Sequence, residues 1–100
     1  MEIKHASVAG TLESSDVLVS IEPVNEGVSL EISSTVLNQF GRQIRATVLE
    51  TLDRLEVKHA KVNVVDKGAL DCTIKARVEC AVFRAADASE KNIPWKGAVK

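Results

Sequence analysis

Residues Val17 to Ser34 read VLVSIEPVNEGVSLEISS. Val17, Val19 and Ile21 alternate with Leu18, Ser20 and Glu22, and Val28, Leu30 and Ile32 alternate with Ser29, Glu31 and Ser33. Strand side chains point to opposite faces in turn, so each run predicts a strand with one apolar face. Pro23, Asn25 and Gly27 supply turn chemistry between them, and the pair is expected to form a hairpin. Upstream, Ser7 to Leu12 reads as a further strand in which Gly10 marks a bulge or a close approach. The polar run Glu13-Ser14-Ser15-Asp16 then becomes the tip of another hairpin, exposed because its backbone needs solvation.

Downstream the period changes. Leu37, Phe40, Ile44, Val48, Leu52 and Leu55 recur at three- and four-residue spacing, which predicts a helix over roughly Thr35 to Leu55 with that stripe against the core. Ser33 and Ser34 stand ahead of it as candidate N-caps. Gly41 inside the helix costs about 1 kcal/mol relative to Ala, which close packing onto a sheet would offset. Val62, Val64 and Val65 suggest a strand from Ala60 to Val65, closed by Asp66-Lys67-Gly68. From Leu70 to Cys80 apolar residues alternate as on a strand, yet Leu70, Ile74, Val78, Ala81, Val82 and Ala85 also fit one helical face. Length, alanine content and the four-residue Lys75–Glu79 spacing favour helix. The tail over 88–100, with Pro94 and Trp95, reads as irregular, with Trp95 covering the edge of the core.

These elements predict an α+β fold: a single two-layer domain over residues 1–100, with a mainly antiparallel sheet and two helices packed on one face. An apolar fraction of 45% and a charged fraction of 27% suit a folded domain. With three aromatic residues, Phe40, Phe83 and Trp95, the core must be aliphatic. No apolar run approaches the ~20 residues of a membrane span. The opening Met-Glu-Ile-Lys-His lacks a signal-peptide pattern, so the cytoplasm is the expected compartment. Net charge is −1, but residues 1–34 carry six acids against Lys4 alone. That front third suits a basic partner surface, and with few aromatics and no basic stripe the sequence argues against nucleic acid.

Chemistry is sparse. Cys72 and Cys80 lie eight residues apart, about 12 Å on a helix and about 26 Å on a strand. Either distance exceeds the reach of a disulfide, and both are expected to be buried, free, structural thiols. His5 and His59 are isolated and no C-x-x-C occurs, so no metal site is expected. Ser14 with His5 lacks the G-x-S-x-G context of a hydrolase. Cys72 or Cys80 with His59 has no better support as a thiol enzyme. What the residues offer is an acidic hairpin tipped with serine.

The run Val8-Ala9-Gly10-Thr11-Leu12-Glu13-Ser14-Ser15-Asp16-Val17 resembles the N-terminal signature of the citrate lyase acyl carrier (gamma subunit) family. Gln39-Phe40-Gly41-Arg42-Gln43-Ile44-Arg45 resembles it as well. So does Asp66-Lys67-Gly68-Ala69-Leu70-Asp71-Cys72, followed by Ala76-Arg77-Val78-Glu79. The likeness runs in order through nearly the whole chain, and several motifs at compatible spacing are far more specific than one. It implies a non-catalytic carrier whose Ser14 bears 2'-(5''-phosphoribosyl)-3'-dephospho-CoA through a phosphodiester, installed by a prosthetic-group transferase. The group's thiol would carry acetyl and citryl thioesters between an alpha (acyl transferase) subunit, which releases acetate, and a beta (citryl lyase) subunit, which releases oxaloacetate. The acids around Ser14 would meet basic clefts on those partners. Two alternatives stand beside it: the carrier subunit of malonate decarboxylase, which uses the same kind of group, and an unmodified scaffold domain.

Overall fold

The computed structural model describes residues 1–34 and 37–87. Its elements in chain order are β1 (Ser7–Gly10), β2 (Val17–Glu22), β3 (Gly27–Ser34), α1 (Leu37–Arg54), β4 (His59–Asp66) and α2 (Asp71–Ala85). Alternation sets the inner face of each central strand. Val17, Val19 and Ile21 of β2 are buried, as are Ala60, Val62 and Val64 of β4. Ile44, Val48 and Leu52 of α1 and Ile74, Val78, Val82 and Phe83 of α2 close over them, making two layers around an aliphatic core. The segment whose pattern fits both strand and helix is a helix, because its buried positions recur at helical spacing. The side chains of Leu37 and Phe40, and the tail with Trp95, lie outside the described residues.

One pairing differs from expectation. β2 and β3 do not form a hairpin: the sheet order is β1-β2-β4-β3, with β4 antiparallel to β2 and parallel to β3. Alternation says which face a strand buries and nothing about its neighbour. Residues 23–26 are long enough to cross the two strand spacings, about 10 Å, that β4 occupies. The parallel β3–β4 pair is joined through α1, as a parallel connection requires. Two of the three pairings remain antiparallel.

β3 continues through Ser34, opposite Asp66 of β4, and Ser34 Oγ donates to Asp66 Oδ2 at 2.8 Å. The capping expected of Ser33 and Ser34 falls at residues 35–36, which lie outside the described residues. One pairing within α2 is corrected. Glu79 does not serve Lys75; it pairs with Arg54 of α1 and so ties the two helices together. At the end of α1, Val57 N–H donates to Leu52 O at 2.9 Å and Glu56 N–H to Asp53 O at 3.0 Å, with Glu56 at φ +58°. These are the two bonds of a Schellman closure, and Leu52 and Val57, both buried, supply its apolar contact.

Candidate functional site

β1 and β2 pair from Ser7↔Ile21 to Gly10↔Leu18, so residues 11–16 form the expected hairpin tip. Gly10 has φ +102°, and a Cβ built there would stand 1.8 Å from the Val17 carbonyl oxygen. The strands can approach this closely only over a glycine. Ser14 is exposed at the tip, and among the described residues its hydroxyl has no hydrogen-bond partner.

The residues around it are held firmly. Asp16 collects the loop through its carboxylate: Thr11 Oγ1 donates to Oδ2 at 2.6 Å and Val17 N–H to Oδ1 at 2.7 Å. Arg77 of α2 completes the set in a two-pronged contact, Nη2 to Oδ2 at 2.9 Å and Nε to Oδ1 at 3.2 Å. The Thr11 hydrogen bond, then the Arg77 hydrogen bond and the Val17 N–H, hold the Asp16 carboxyl down to about 2. Thr11 Oγ1 in turn accepts Glu13 N–H at 3.2 Å. Ser15 N–H donates to Lys67 O at 2.8 Å and Lys67 N–H to Asp16 O at 2.9 Å, extending the β2–β4 ladder into the tip. Ser15 takes φ +64° to do so.

Asp66, buried at the end of β4, organises the neighbouring loop by accepting Gly68 N–H at 3.1 Å and Ala69 N–H at 2.9 Å. A cleft of about 570 Å³ opens there, lined among others by Gln43, Ile44, Asp66, Ala69, Leu70 and Cys72. Gln43 Nε2 donates to Asp71 Oδ2 at 2.6 Å, linking α1 to the start of α2.

Several expectations about side chains are revised. Cys72 is exposed and Cys80 half-buried, both free. Alternation from Leu70 places them on an inner strand face; on a helix, Cys72 lies about 200° around from the buried Ile74. Asp16 turns inward onto Arg77, so of the two acids flanking the serines only Glu13 is offered to a partner. His5 is not isolated: its Nε2 lies 2.7 Å from Asp87 Oδ1, beyond α2. No His5–Ser14 contact occurs. Sequence reasoning gave no role to Arg77, Thr11 or Lys67. Arg77 stands 61 residues from Asp16, and nothing local to either residue points to the other. Among the described residues there is no group of three or more His, Cys, Asp or Glu able to hold a metal. No helix there is long and apolar enough to cross a membrane.

Such a fold, a small α+β domain presenting a free serine on a braced hairpin, has matches among carrier proteins. The family model described as "Malonate decarboxylase delta subunit (MdcD)", an acyl carrier family, matches residues 4–85. A citrate lyase acyl carrier protein of Vibrio cholerae serotype O1 is 55% identical over 96 residues, covering 95% of this chain and 96% of its own. One from Treponema denticola is 59% identical over 85 residues, covering 85% and 97%, and one from Lacticaseibacillus casei is 49% identical over 96 residues, covering 96% and 93%. Among solved structures, a chain of a Pseudomonas malonate decarboxylase hetero-tetramer shares the fold with a TM-score of 0.74 at 19% identity, over 83% of this chain and 86% of that one. The class is thus that of small acyl carrier proteins. Within it, this chain belongs to the citrate lyase acyl carrier protein family.

Proposed function

We propose that this chain is the non-catalytic acyl carrier subunit of a citrate lyase, working in the cytoplasm with 2'-(5''-phosphoribosyl)-3'-dephospho-CoA on Ser14. The observation that carries the proposal is the contrast at the hairpin tip: Ser14 is exposed and its hydroxyl unengaged, while the loop around it is pinned. A phosphodiester needs one accessible oxygen and open space for a long substituent, and these residues fit that need. When bound, the group supplies a thiol for thioester chemistry. The protein's own residues bind and orient its root, and tethering turns two encounters with partner subunits into local ones at high effective concentration. Those partners are taken to be the alpha acyl transferase and beta citryl lyase, with a transferase to install the group. The name and coverage of the relatives at 49–59% identity favour citrate lyase over malonate decarboxylase, whose described family model and fold neighbour mark the second reading.

Intact mass and peptide mapping of chain co-expressed with its modifying enzymes test the site. Wild type and Ser15→Ala are expected to carry the adduct, and Ser14→Ala to lack it with unchanged circular dichroism. Loss of an exposed turn hydroxyl should cost well under about 1 kcal/mol. An adduct that survives Ser14→Ala and disappears in Ser15→Ala moves the site by one residue. Wild type left bare by an active modification system overturns the carrier reading.

A further inference from the structure

We infer that Asp16 and Arg77 are positioning residues for modification of Ser14, acting as a clamp that presents its hydroxyl in one geometry to the installing enzyme. The inference rests on the proposed carrier function and adds to it residues that touch neither the group nor the reacting oxygen. Three of the loop's N–H groups are committed: Glu13 to Thr11 Oγ1, Ser15 to Lys67 O, and Asp16 to Glu13 O at 3.1 Å. The Asp16 carboxylate joins the start of the loop, through Thr11, to its end, through Val17 N–H. Arg77 fixes that carboxylate from a separate element with a fork that leaves it little rotational freedom.

The position of the pair argues against a role in the core. The Arg77 side chain is 39% exposed and that of Asp16 15%, so the bridge sits at the surface, where an ion pair contributes little to global stability. Its effect falls instead on the six residues of the tip. In-line transfer forms the bond from Ser14 Oγ to phosphorus as a phosphoanhydride of the activated group breaks and releases its phosphate leaving group. The hydroxyl proton passes to a base of the transferase. Such a step depends steeply on placement, and an error near 1 Å can cost on the order of 100-fold in rate. A hydroxyl held by a braced loop meets the transferase with that placement already made.

The test follows the growth of the modified mass with purified transferase and the activated group, over a range of carrier concentrations. The chains compared are wild type, Arg77→Met, Arg77→Lys and Thr11→Val, alongside amide hydrogen exchange of the loop. Arg77→Met should keep its circular dichroism and the protection of β2 and β4 amides. It should exchange faster at Glu13, Ser15 and Asp16, and load on the order of tenfold more slowly, mainly in kcat. Arg77→Lys should recover part of the rate, since a point charge replaces the fork. Arg77→Met that is folded and loads as fast as wild type overturns the inference. Should Arg77→Met not fold, Thr11→Val decides by the same rate, because it removes only an exposed hydroxyl of the clamp. Wild type that fails to load overturns the carrier reading and this inference with it. Wild type that loads beside an equally fast clamp variant overturns this inference alone.

Discussion

At the scale of single residues, Gly10 and Ser14 divide the work of the hairpin between backbone and side chain. Gly10 lets the chain turn into the tip: its φ of +102°, and the 1.8 Å that would separate an added Cβ from Val17 O, leave no room for any other residue. Gly10→Ala should therefore destabilise the domain by at least about 3 kcal/mol, read as a lowered denaturant midpoint. A midpoint within error of wild type would show that β1 can back away from Val17, and would sink the close-approach account. Gly10 is legible in the sequence as a break within a strand pattern, and Ser14 as an exposed polar tip. The bracing of Ser14 is not. A carboxylate and an arginine 61 positions apart share no periodicity with each other or with Thr11, so their meeting depends on how α2 lies against the sheet.

At the scale of elements, local pattern is decisive wherever burial has a period. The stripe of α1 through Ile44, Val48 and Leu52 is buried, and the α2 stripe through Ile74, Val78 and Val82 decides helix over strand for its segment. Alternation misplaces Cys72, because a two-residue period carried into a helix puts every second residue on the wrong side. It also leaves strand order open, since β2 and β3 carry the same alternation whether adjacent or separated by β4, and at the sheet edge β3 only half-buries Leu30 and Ile32. The end of α1 shows chain geometry winning over propensity: Glu56 adopts φ +58°, a conformation suited to glycine, because both Schellman bonds and the Leu52–Val57 contact require it. Glu56→Gly should remove that strain and raise stability by about 1 kcal/mol. The melting temperature should rise by a few degrees, and a fall would mean that the Glu56 side chain makes contacts worth more than the strain.

At the scale of the whole molecule, long-range polar contacts tie the chain's front to its later elements. The Met1 amine donates to Leu55 O at 2.6 Å and Glu56 O at 2.8 Å, and Lys4 N–H donates to Ala85 O at 2.9 Å. The His5–Asp87 pair and the Arg77–Asp16 pair hold the two ends of the β1–β2 unit against α2. These two pairs titrate in opposite senses. The Asp16 carboxyl is lowered from 3.8 to about 2, so its contribution is present above pH 3.8 and is lost as pH falls through about 2. The Asp87 carboxylate, and then the Ala6 carbonyl, raise His5 above 6.5. Its contribution is complete below pH 6.5 and fades as pH rises through the folded-state value. Stability from the two together should therefore form a plateau between about pH 4 and 6.5, with a small decline on each flank, because both pairs sit at the surface. Melting curves of wild type, Asp16→Asn and His5→Gln across pH 2–9 resolve each flank. The gap between wild type and His5→Gln should shrink above pH 6.5, and that between wild type and Asp16→Asn should close as pH falls from 4 to 2. A His5 gap that widens with rising pH would mean that the neutral imidazole is the form the fold prefers. An Asp16 gap that persists at pH 2 would mean that the loop is braced by hydrogen-bond geometry without the charge on its carboxylate.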